Sequence, residues 1–149
     1  MDEGAARAHR NPEEYAVKYM LLMQFSQESA GFPPITEWTQ DEIQAHIGFM
    51  GDVEKRIADL GTLVDAQGLD MPHTARIVRA GSGGEPLVTD GPFPETKEFL
   101  AGYWVVDLPD AATAYELAAH ISTAPGPGGR PLNMPIHVHP VLALPDTGA

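Results

Sequence analysis

Cysteine is absent from this chain of 149 residues. Its absence removes disulfides, thiolate nucleophiles, iron–sulfur ligation and cysteine-type zinc sites. Cations are scarce as well: nine Lys and Arg stand against 21 Asp and Glu, a formal charge of -12. Nucleic acid and anionic membranes both call for a cationic surface, so neither is an expected partner. No apolar run approaches the length of a membrane span, and residues 1–16 are polar and mixed in charge, without the apolar stretch of a secretory leader. The expected location is cytoplasmic. Ser82 lies among glycines in Gly81-Ser82-Gly83-Gly84, which precedes no helix; it offers neither a nucleophile elbow nor a phosphate loop.

What is present suits one globular domain with a real core, since 43% of the residues are hydrophobic and the chain is too short for two well-buried units. Three parts are expected: an N-terminal extension over 1–16, an α+β domain over 17–144 and a fraying tail over 145–149. Val17–Phe25 is short, apolar and free of Gly and Pro, which predicts a strand covered on both faces. Thr39-Gln40-Asp41-Glu42 is a capping box, and Ile43, Ile47, Met50, Val53, Ile57 and Leu60 follow at helical spacing, with Gly61 as the C′ residue. A second helix starts after Asp110, its inward stripe being Ala114, Tyr115, Ala118 and Ile121. Residues 74–80, 86–89 and 100–108 read as strands between the helices. Residues 135–142 supply the last one, with Pro140 placing it at an edge.

This order predicts a ferredoxin-like βαββαβ subunit with an antiparallel sheet and both helices on one face. The other face would expose apolar side chains, among them Tyr103 or Trp104, which point to opposite sides. An exposed apolar face of that size buries itself against something, and a second copy is the simplest cover. A homodimer with sheets packed face to face is expected.

Val88-Thr89-Asp90-Gly91-Pro92-Phe93, continued by Glu95-Thr96-Lys97-Glu98 and preceded by the strand Lys18-Tyr19-Met20-Leu21-Leu22, resembles the YCII-related family. It is most similar to the branch named for its Asp-Gly-Pro-Phe motif, and the glycine-rich stretch 125–129 supports the match. The resemblance implies a dimeric α+β barrel. It also implies a His–Asp active site, which maps onto His46 and Asp90. Some relatives resemble muconolactone isomerases and dehydrochlorinases, and related domains accompany sigma factors. The chain departs from the family in carrying His137 and His139 where relatives commonly have an acidic and a basic residue.

His46 lies within the apolar stripe of the first helix and should face the sheet. Beside a carboxylate such as Asp90, one ring nitrogen would be fixed and the other left free for proton transfer. That chemistry suits proton abstraction next to a carbonyl, or elimination, on a small metabolite: an isomerase or lyase. Phe93, Lys97 and Tyr103 are candidate substrate-pocket residues. The alternatives are a non-catalytic ligand-binding or regulatory module, with His46 a satisfied core histidine and Asp90 capping its own turn, or a purely structural dimer. His137 and His139 share one strand face and could take part in a metal site only with a third ligand such as His120 or Asp107. No metal and no cofactor is assigned.

Overall fold

Residues 17–25, 32–90 and 99–143 are described by a computed structural model of the chain. Strand β1 (Val17–Phe25) forms where expected, but only one face is fully covered: Tyr19, Leu21 and Met23 are buried, and Met20 and Leu22 on the other face are half-buried. Helix α1 (Gln40–Leu60) begins at the capping box, where Thr39 Oγ1 accepts from the Glu42 amide at 3.2 Å and Glu42 Oε1 accepts from the Thr39 amide at 2.9 Å. Its C-terminal half packs on the sheet through Val53 and Ile57, both fully buried. Each such side chain contributes roughly 1.5–3 kcal/mol by leaving water. Ile47, expected in the inward stripe, is 56% exposed; the inward row runs instead through His46, Met50, Val53 and Ile57.

Strand β2 (Thr62–Gly68) follows at once, and was not anticipated as a strand. A bulge between Leu63 and Asp65 explains why, since it turns both Leu63 and Ala66 toward the core and destroys the two-residue alternation. Gly61 joins α1 to β2 in extended backbone, φ -179°, and is not a left-handed C′ residue. Glycine is needed there because a Cβ would run into the Asp107 carbonyl oxygen. Strands β3 (Arg76–Ala80) and β4 (Pro86–Asp90) form a separate two-stranded hairpin rather than joining the main sheet. Its apolar residues, such as Val78 and Val88, stand exposed.

Strand β5 (Phe99–Leu108) buries Trp104, Val106 and Leu108 beside β1. Helix α2 (Ala111–Ser122) is capped by Asp110, whose Oδ1 accepts from the Thr113 amide at 2.8 Å. Its buried stripe is Ala114, Leu117, Ala118 and Ile121; Tyr115 is 61% exposed and belongs to the outer side. Strand β6 (Ile136–Pro140) closes the sheet, with Pro140 at the end of an edge strand as expected. The main sheet is antiparallel in the order β2-β5-β1-β6. That is the order two split βαβ units produce, so the ferredoxin-like α+β fold stands, with β2 in the place first given to residues 74–89. Among the described residues no helix is long and apolar enough to cross a membrane.

Candidate functional site

The N-terminal half of α1 does not close down on the sheet as its C-terminal half does. Between it and the strand ends around Phe25, Phe99 and Trp104 lies a cavity of about 370 Å³. Trp38, His46 and Met50 form the helix-side wall, and residues 66–71 at the end of β2 form another. Size and apolar character are those of a small-molecule pocket.

His46 is the half-buried polar group on that wall. Its Nδ1 lies 3.0 Å from the carbonyl oxygen of Pro125. A carbonyl can only accept, so Nδ1 carries the hydrogen and donates it, and in the neutral ring Nε2 keeps its lone pair. Trp38 meets the imidazole edge-on, with centroids 5.5 Å apart and planes at 79°, and is itself tied by an indole N–H donated to Pro33 O at 2.9 Å.

The carbonyl that fixes the ring is itself held. Gly126 donates to Arg130 O at 2.7 Å, and Leu132 donates to Ala124 O at 2.9 Å, closing a tight loop. Gly128 and Gly129 adopt φ of 68° and 73°, which explains the glycines there. Glu42 Oε2 accepts from the Gly128 amide at 2.7 Å while its other oxygen completes the capping box. The Thr39 backbone amide first, and the Gly128 amide second, hold the Glu42 carboxyl below the usual carboxylate range. Glu42 and His46 are one turn apart on α1, so one helix face grips the loop at two points.

Of the other expected site residues, Asp90 ends β4 opposite Arg76 through its backbone. Its side chain lies outside the described residues, as do Phe93 and Lys97. The expected pairing of His46 with Asp90 therefore falls outside them too. Tyr103 borders the cavity, but its neighbours across the strands are Leu22 and Gln67, on the face opposite buried Trp104. Its hydroxyl donates to Asp65 Oδ2 at 2.9 Å, and that bond, followed by desolvation and the Asp65 charge, raises the phenol above its ordinary pKa.

His137 and His139 stand exposed on β6 beside Leu22 and Met20, their rings 6.5 Å apart. Among the described residues no cluster of three or more metal-ligating side chains occurs. His120 is elsewhere, stacked on Phe49 at 4.9 Å between the helices, where burial and then the Arg56 charge lower its pKa. Sequence reasoning missed Trp38, the Pro125 carbonyl and the second bond of Glu42. Only the four-residue step from Glu42 to His46 hinted at a shared target.

Two comparisons bear on this arrangement. A family model described as the YCII-related domain matches residues 17–126, from the start of β1 into the loop that holds His46. An uncharacterized protein of Rhizobium meliloti (strain 1021) is 33% identical over 87 residues, which cover 58% of this chain and 69% of that protein.

Proposed function

This chain belongs to the YCII-related family, and from that premise we propose that it is an acid/base enzyme of isomerase or lyase type acting on a small metabolite in the cavity. The observation that carries the proposal is the fixed imidazole: Nδ1–H bound to Pro125 O, with the ring on the cavity wall. Nε2 accepts a proton from a carbon next to a substrate carbonyl. The electron pair left behind moves into an enolate, and the proton then returns at another carbon (isomerisation), or that pair closes a carbon–carbon double bond as a leaving group departs from the neighbouring carbon with its own bonding electrons (elimination). As the ring becomes imidazolium, the Nδ1–H bond to Pro125 strengthens, because its donor is now charged. Asp90 is the proposed second group of the site, and its Asp-Gly-Pro-Phe context supports the further proposal that the chain belongs to the branch of that name.

Incubating the chain in D2O with a panel of small enolisable ketones and lactones tests this by NMR. Deuterium should enter the carbon next to the carbonyl, and His46→Gln should slow entry by about 100-fold with the fold intact. A compound that binds without exchanging would favour a non-catalytic ligand-binding or regulatory module, in which the carbonyl-held His46 serves only as a polar anchor. We further propose that a second copy covers the outer sheet face, where Met20, Leu22 and Val105 are only half-buried. Sedimentation at twice the 16.0 kDa chain mass is the expected result, and a monomer at all concentrations overturns it.

A further inference from the structure

We infer that the cavity selects an aromatic amine, bound as its ammonium form, over an aromatic carboxylate; this rests on the cavity being the ligand site. Phe25, Trp38, Phe99 and Trp104 give it four aromatic walls, and Met50 and Met134 add polarisable ones. Phe25 and Phe99 meet edge to face at 5.1 Å, presenting a formed aromatic surface rather than a loose one. Aromatic faces attract cations through the ring quadrupole, and thioethers favour aromatic guests.

Among the described residues, the charged side chains that line the cavity have one sign. Glu54 continues the row His46–Met50 on α1, and Asp70 follows β2; both are exposed and stand at the mouth. Glu54 has no hydrogen bond or ion pair among the described residues, and Asp70 accepts only from the amide of its neighbour Met71, at 2.8 Å.

The described cations are all placed elsewhere. Lys18 is on β1 opposite Asp107, Lys55 is beside Asp52, Arg56 is near His120, Arg76 and Arg79 are in the hairpin, and Arg130 lies 5.0 Å over the Phe32 ring. A carboxylate entering the cavity would lose water and meet two like charges with no described cation to offset them. An ammonium meets two carboxylates and four rings, and it can donate a hydrogen bond to His46 Nε2.

NMR titration of the full chain with benzylamine, benzyl alcohol and benzoate tests this, reading the indole N–H signals of Trp38 and Trp104. Benzylamine should bind about tenfold more tightly than benzoate, with benzyl alcohol between them. The preference should fade in Glu54→Gln/Asp70→Asn, and in the unaltered chain it should shrink with added salt, a readout that survives if the double variant fails to fold. Benzoate binding as tightly as benzylamine overturns the inference, as does a preference indifferent to both salt and substitution. Should the three probes bind alike, the cavity stands as a ligand site and the charge selection falls. Should none move the indole signals, both fall.

Discussion

The two halves of α1 obey one sequence pattern and do different work. At Val53 and Ile57 the helix face lies against the sheet and is sealed; at His46 and Met50 the inward face stands back and borders a cavity. Hydrophobic spacing specifies which face turns inward but not how closely it approaches. Closeness is set by what else occupies the gap. At the N-terminal end the occupants are the Trp38 ring and the glycine loop gripped by Glu42 and His46. A core residue in the C-terminal half and a cavity residue in the N-terminal half can therefore look alike in sequence and differ completely in consequence.

Substitutions along the helix sharpen that contrast. Ile57→Ala, in the sealed half, should cost the most stability, about 2–5 kcal/mol, because a fully buried side chain leaves a cavity behind; thermal or urea unfolding measures it. His46→Gln, on the cavity half, should cost far less stability, about 1 kcal/mol for one lost hydrogen bond, while slowing deuterium exchange by about 100-fold. A His46 variant that unfolds like Ile57→Ala would place the imidazole in the core and break the comparison.

Glu42→Ala comes next. It should lower the melting temperature modestly by leaving the Thr39 and Gly128 amides without their carboxylate acceptor. The sign of its pH dependence follows from its depressed carboxyl: the stabilisation is complete above the ordinary glutamate pKa and is lost as pH falls through the lower folded value. The difference in stability between the unaltered chain and Glu42→Ala should accordingly vanish in acid, which unfolding at a series of pH values would follow. Ile47→Gln should have the smallest effect, within about 0.5 kcal/mol, since that side chain faces water despite its place in the apolar spacing.

Local chemistry made much of the fold legible. The capping box at Thr39 and the Asp110 cap mark both helix starts, because side chain and amide are only three residues apart. β1 and β5 are legible from their strong apolar content. β2 is hidden by its bulge, and Tyr115 took the place of Leu117 in the second stripe because both are apolar one turn from other core positions. Of the expected residues, the described ones that border the cavity are His46 and Tyr103. The partner carbonyl of His46 is 79 residues away and belongs to backbone, to which no residue type points. The Glu42–Gly128 bond, 86 residues apart, is equally invisible to spacing.

Long-range proton–nitrogen correlation of the His46 ring in the intact chain tests the central claim most directly. In the neutral ring the hydrogen should sit on Nδ1, with a bare Nε2 whose resonance moves when a cavity ligand is added. A ring protonated on Nε2 with Nδ1 bare, and indifferent to every cavity ligand, would contradict the account.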